Sequence, residues 1–204
     1  MDDISRIVYA VRKLKERKAL PVVGIDGLGG AGKSTISEAV CKALEKQGMP
    51  VMLIHIDDLI HRREIRYNDA LPEWQCYYEL QWRYDYFRSI IEKVRNTDGN
   101  AQIELYDKEN DTYYVQSYPV SKDTVMIVEG IFLQRKELDG IFDYMVYIDI
   151  PEKVRLERVL ERDIYIGDRE SIKEKYERRY FPAERRYCGE YQPCKAADLV
   201  LSIS

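Results

Sequence analysis

Two periodicities of apolar residues alternate along this chain, and together they outline its elements. Ile4, Ile7, Val8, Val11 and Leu14 recur at helical spacing, predicting an amphipathic helix from Ile4 to about Lys18 that Pro21 ends. Val22-Val23-Gly24-Ile25 is a short continuous apolar run, the pattern of a strand buried on both faces. A glycine-rich turn follows, then a helix through Ile36, Val40 and Leu44 with Gly48 as its stop signal. Val51 to Ile56 forms the second apolar run. Strand, turn, helix and strand in this order make a βαβ unit, which implies parallel pairing.

Further along, one long helix is expected from Trp74 to Arg95, with Leu80, Tyr84, Phe87, Ile91 and Val94 on one stripe. Trp74, Tyr78, Trp82 and Tyr86 recur on the opposite stripe, where they either wall a pocket or simply pack. Gln102 to Tyr106 and Thr112 to Tyr118, separated by the charged stretch 107–111, read as an antiparallel hairpin. Val125 to Val128 and Tyr144 to Ile150 are two more strands, and Pro151 opens a charged helix containing Val154, Val159 and Leu160. A second charged helix is expected from Ser171 to about Arg179, and a last strand over 197–201. No repeat, linker or low-complexity tract interrupts the chain, so residues 1–204 are expected to form one α/β domain with residues 1–20 as an N-terminal helix.

Composition narrows the function classes. The chain is 45% hydrophobic and 33% charged, enough apolar material for a sizeable core. Lys and Arg total 32 against 36 Asp and Glu, so a net charge of −4 gives no general attraction to nucleic acid or to an anionic membrane. The four cysteines and two histidines lack the spacing of a structural zinc site, and sparse, irregular cysteines fit a reducing compartment. No apolar stretch reaches the ~18 residues of a membrane helix, and Met1-Asp2-Asp3 opens without an apolar leader. The expectation is a cytoplasmic protein, able to form a homo-oligomer, without nucleic-acid or membrane partners.

The chemistry is concentrated at Gly27-Leu28-Gly29-Gly30-Ala31-Gly32-Lys33-Ser34, a complete Walker A pattern set between an apolar strand and an amphipathic helix. Gly27, Gly29, Gly30, Ala31 and Gly32 let backbone N–H groups turn inward around phosphate oxygens at a helix N-terminus. Lys33 reaches the β- and γ-phosphates, the Ser34 hydroxyl is placed for Mg²⁺, and Thr35 for the α-phosphate. No Asn is followed by Lys, and no Ser-Gly-Gly occurs, so the guanine-reading and ABC-type signatures are missing. A small-molecule kinase fits what is left.

Four segments carry a resemblance to the uridine kinase/phosphoribulokinase group of P-loop kinases: Gly24 through Thr35, His55-Ile-Asp-Asp-Leu, Val125-Met-Ile-Val-Glu-Gly-Ile-Phe, and Tyr147-Ile-Asp-Ile-Pro-Glu with the Arg155-Leu-Glu-Arg helix. Pro182-Ala-Glu-Arg-Arg-Tyr and Ala196-Ala-Asp-Leu-Val are weaker matches. The resemblance implies a P-loop NTPase fold, with a mainly five-stranded parallel sheet, helices on both faces, a hairpin and a lid at about 163–170. It implies ATP and Mg²⁺ as cofactors and a small-molecule acceptor, a nucleoside such as uridine first. Pantothenate or a sugar phosphate is the alternative acceptor, and a nucleotide-binding regulatory protein the alternative class.

Phosphoryl transfer to an alcohol calls for a carboxylate beside the hydroxyl, and Asp57 leaves the carboxyl end of the second strand near the loop. The resemblance favours Asp57 over Asp58. Glu129 ends another strand at the same edge and is placed to orient substrate or a magnesium-bound water. Arg158, Arg162 and Arg169 flank a glycine-containing stretch: Arg158 is expected at the nucleotide, Arg162 and Arg169 at the transferring phosphoryl group. Two stretches depart from uridine kinases: Tyr67 to Pro72 replaces an Asp-His-Pro-Asp-type segment, and Asp111 stands where a histidine is expected.

Overall fold

The computed structural model describes residues 1–202. Five strands form one parallel sheet in the order β2-β5-β1-β6-β7, where β1 is Val22–Gly27, β2 Val51–His55, β5 Val125–Gly130, β6 Tyr144–Asp149 and β7 Leu199–Ser202. β1 and β5 are buried along their whole length, which is why they read as unbroken apolar runs. β3 (Gly99–Asp107) and β4 (Thr112–Val120) pair separately as the expected antiparallel hairpin.

Alternation along the strands divides the core between two faces. On one face Val23, Ile25, Ile127, Val146 and Ile148 meet Ile7, Val8 and Val11 of α1 (Asp3–Lys15) and Val40 and Leu44 of α2 (Lys33–Glu45). The Asp2 carboxylate caps α1 by accepting from the Ser5 N–H at 2.9 Å. On the other face Val22, Met126, Val128, Met52, Ile54 and Tyr147 lie under α4 (Glu73–Leu80), α5 (Tyr84–Arg95), the hairpin and α8 (Phe181–Tyr191). A short α3 (Arg63–Arg66) precedes α4. α6 (Glu152–Arg162) and α7 (Arg169–Lys175) join through residues 163–168, and Val159, Leu160, Ile172, Tyr176 and Phe181 make a small core of their own. α9 (Pro193–Ala196) leads into β7.

Two expected helices take a different form. The stretch 74–95 is α4 and α5 with a break at Gln81-Trp82-Arg83 rather than one helix. There Trp82 bridges to Ile60, Arg83 N–H donates to the Leu59 carbonyl and His61 N–H to the Gln81 carbonyl. Backbone hydrogen bonds to a distant segment thus replace helical ones, and the aromatic stripe is split between two helices. Tyr78 and Trp82 are buried in the core, with Trp74 and Tyr86 packed against it. The helix expected over 171–179 starts at Arg169, passes through a π turn at Tyr176–Tyr180 and continues as α8. Pro182 does not end it; it stands directly after the π turn, in the first turn of α8.

Candidate active site

The carboxyl edge of the sheet gathers most of the residues singled out above. The loop between β1 and α2 holds Gly30 and Gly32 at φ of +79° and +88°, a region that L side chains rarely enter. No side chain caps α2, so the free N–H groups of its first turn face the loop, the arrangement that attracts phosphate. Lys33 Nζ donates to the Leu28 carbonyl at 3.2 Å, and an Arg158 guanidinium nitrogen donates to the Gly30 carbonyl at 3.3 Å. Gly27 is steadied by the buried Asp26 carboxylate, which accepts from the Gly27 N–H at 2.8 Å, from Gln134 at 3.0 Å and from the Tyr187 hydroxyl. Burial raises the Asp26 pKa despite those bonds.

Gly29 is held from outside the loop. Arg155 Nη1 donates to the Gly29 carbonyl at 2.9 Å, and the Glu184 carboxylate accepts from the Gly29 N–H at 2.9 Å. Neither residue was singled out from the sequence as a site residue; their signal is a pair of charges at positions that turn out to be buried.

Glu129 and His55 face each other because β2 and β5 pair them in register. His55 Nδ1 lies 2.6 Å from Glu129 Oε1, and the Ser34 hydroxyl donates to the same oxygen at 3.2 Å. Burial pushes the Glu129 carboxyl up, but the hydrogen bond from His55 and the charge of Lys33 outweigh it and leave its pKa below the ordinary value. The same bond raises His55. Among the described residues no three His, Cys, Asp or Glu side chains converge as a metal cage. A hydroxyl and one carboxylate, both hard oxygen donors, suit Mg²⁺, which typically takes few protein ligands beside substrate phosphates and water.

Asp57 lies on the turn Ile56–Asp58 just past β2, exposed, and its Oδ1 accepts from Trp82 Nε1 at 3.3 Å. It lines a cavity of about 600 Å³ that also reaches Lys33 and Arg162. Asp58 is half-buried, outside that lining, with its pKa raised by burial. A second cavity of about 260 Å³ is lined by Gly30, Gly32, Ser34, Thr35 and Arg158, and again by Lys33 and Arg162. Arg162 Nε lies 2.6 Å from the carboxylate of Asp163, whose buried side chain also accepts from the Tyr176 hydroxyl at 2.6 Å. Arg169 is not brought to either cavity: it pairs at 2.9 Å with Glu157 on the exposed outer surface. A third hollow of about 660 Å³, between residues 67–76 and 166–179, touches neither the loop nor Asp57.

A glycine-rich loop after the central strand of a parallel sheet, a helix N-terminus behind it and a carboxylate at the next strand end define a P-loop kinase. The model of the phosphoribulokinase/uridine kinase family matches residues 22–202, and the chain belongs to that family. It is 29% identical over 150 residues to the uridine kinase of Staphylococcus aureus (strain JH9), covering 72% of this chain and 70% of that one. A similar match, 25% over 144 residues, joins 70% of it to 68% of the uridine kinase of Leuconostoc citreum. Among solved structures, a possible uridine kinase from Bacillus stearothermophilus superposes with a TM-score of 0.77 at 30% identity, over 98% of this chain and 100% of the other. A putative fructose transport system kinase from Silicibacter gives 0.83 at 18% identity over 98% and 100%, a likeness of fold. This family implies use of ATP and Mg²⁺. Among the described residues no helix is long and apolar enough to cross a membrane.

Proposed function

We propose that this protein transfers the γ-phosphoryl group of ATP to the hydroxyl of a small molecule. One observation carries the reading: Lys33 and Arg162 line both the loop cavity and the larger cavity that holds Asp57, so donor and acceptor spaces meet at two cations. Such a transfer needs little covalent help from the protein; it needs alignment and charge stabilisation where the two substrates meet.

The loop N–H groups and Arg158 hold the nucleotide phosphates, and Thr35 at the head of α2 is placed for the α-phosphate. Lys33 bridges toward the transferring group. Ser34 and Glu129 are the residues that would hold Mg²⁺ and its water; when bound, the ion offsets phosphate charge. Asp57 accepts the proton of the acceptor hydroxyl and aligns its oxygen, held in direction by Trp82. Arg162 offsets the charge that builds on the equatorial oxygens. Residues from about 163 to 170 act as the lid, and its Arg169 joins the site only where closure breaks its pairing with Glu157.

The similar proteins named above make a nucleoside the first acceptor to test, with pantothenate and a sugar phosphate beside it. The test is ADP release from ATP and Mg²⁺ across nucleosides, vitamins and sugar phosphates, with Asp57→Asn as the control. Acceptor-dependent ADP release that the variant loses supports the kinase reading. ATP binding without any acceptor-dependent release supports a regulatory nucleotide-binding protein instead.

A further inference from the structure

The larger cavity carries more positive charge than phosphoryl transfer uses. Lys33 and Arg162 stand at the nucleotide junction, but Arg63, Arg66 and Lys108 line the same cavity from α3 and the hairpin tip. Among the described residues no carboxylate oxygen lies within 4 Å of any of these three charges, whereas Arg155, Arg162 and Arg169 each have one. α3 and the hairpin tip are tied together here: the Arg63 guanidinium donates to the backbone carbonyl of Lys108 at 2.9 Å.

Arg66 is the most constrained of them. One guanidinium nitrogen donates to the Tyr106 hydroxyl at 2.9 Å, and its cation lies 5.1 Å and 5.3 Å from the ring centres of Tyr67 and Tyr106. Its Nε is closed off from solvent with no hydrogen-bond partner. Asp58 and Asp111 are near enough to feel these charges without pairing directly with them; Asp111 Oδ1 accepts from the Arg63 backbone N–H at 2.9 Å and from the Tyr106 hydroxyl at 2.6 Å. Cations without a direct carboxylate partner, lining one cavity, are an arrangement that recognises an anion. Behind the same wall, the buried Arg179 finds the Glu73 carbonyl, the Gln81 side-chain oxygen and the faces of Tyr67, Tyr77 and Tyr180.

We infer that the acceptor carries a carboxylate or phosphate group remote from its reacting hydroxyl, and that Arg63, Arg66 and Lys108 bind that group while Asp57 faces the hydroxyl. The inference rests on the kinase reading and narrows it from small alcohols in general to anionic ones. A neutral nucleoside would leave all three cations without a direct ion-pair partner.

The test uses matched probes differing in charge: pantothenate against panthenol, a pentose 5-phosphate against the free pentose, and uridine as a neutral nucleoside. Calorimetry on wild-type protein loaded with a non-hydrolysable ATP analogue reads binding without turnover, and ADP release reads phosphotransfer. The expected result is binding at least about ten-fold tighter for one anionic member than for its neutral partner, weakening as salt rises. Which pair shows the gap tells carboxylate from phosphate. Arg66→Gln should raise the KM for that acceptor about ten-fold or more with the KM for ATP nearly unchanged. Lys108→Gln, at an exposed position where the fold is not at stake, should act in the same direction. Equal binding within every pair, a preference for uridine, or KM values that neither substitution moves would overturn the inference and leave the kinase reading standing. No ADP release with any probe counts against the kinase reading, while the calorimetric comparison still decides whether the pocket takes anions.

Discussion

The Arg155 guanidinium and the Glu184 carboxylate meet at 2.8 Å with both side chains 3% exposed, and between them they hold the carbonyl and the N–H of Gly29. Burial raises the Glu184 pKa in spite of the guanidinium, so desolvation outweighs attraction and the pair is better explained by position than by stability. It ties α6 and α8 to the phosphate loop. Removing one partner strands the other charge. Glu184→Ala should therefore destabilise the protein by about 3–5 kcal/mol in denaturant unfolding. Glu184→Gln, whose amide oxygen can still accept from Gly29, should lose less.

Lys33 offers the direct test of the loop. Lys33→Ala removes the cation common to both cavities while leaving the α2 backbone able to form. Turnover should fall by ~10²-fold or more, with thermal stability nearly unchanged. A folded variant with wild-type phosphotransfer would remove the role assigned to Lys33.

The sheet was legible because β1 and β5 are buried on both faces, so burial alone forces unbroken apolar runs. The break at Gln81-Trp82-Arg83 was not, because both halves keep a helical stripe and what splits them is backbone pairing with residues 59–61. At the candidate site, the loop declares itself through glycine spacing, and Asp57 is a candidate through its place at a strand end and the family resemblance. The His55–Glu129 contact depends on the β2–β5 register, which sequence spacing does not contain. Glu184 lies 155 residues from Gly29, and no local pattern marks that approach.

Arg162 and Arg169 can be separated experimentally. Arg162 lines both cavities, while Arg169 is held by Glu157 away from them. Arg162→Ala should lower kcat by ~10²-fold while changing ATP affinity far less, as expected for a cation that acts mainly in the transition state. Arg169→Ala should have the smaller effect. Steady-state kinetics with ATP-binding calorimetry reads both, and equal losses would mean that closure brings Arg169 in.

The His55–Glu129 pair gives stability a pH dependence in protein freed of Mg²⁺. His55 is raised above 6.5 by its bond to Glu129, so its contribution is complete below 6.5 and fades as pH rises through the higher folded-state value. Glu129 is lowered below 4.5, so its contribution is complete above 4.5 and fades as pH falls through the lower folded-state value. The His55 side chain is 36% exposed, and screening limits the effect to about 1 kcal/mol or less. The Tm difference between wild type and His55→Gln, measured in chelator across pH, should be largest between these limits and shrink above pH 6.5. A difference independent of pH would mean that the pair is not charged.

Asp57 decides between a kinase and a nucleotide-binding module. Its carboxylate lines the larger cavity and receives Trp82 Nε1 on one oxygen, leaving the other free for an acceptor hydroxyl. Asn keeps the size and one accepting oxygen but loses the charge and the basicity. Asp57→Asn should retain ATP and Mg²⁺ binding while acceptor phosphorylation falls by ~10²-fold or more, the scale of general-base catalysis. Asp58 lies one residue on, outside the lining and half-buried, so Asp58→Asn should cost much less. Trp82→Phe removes the indole donor and keeps an aromatic ring against Phe132 and Tyr77. If Trp82 only orients the carboxylate, that change should lower kcat modestly and shift its pH profile without affecting ATP binding. The assay is product formation from the acceptor found in the probe screen, with ATP binding measured on each variant. A large loss at Asp58 with little at Asp57 would move the base by one residue, and little loss at either would leave the hydroxyl without the proposed base.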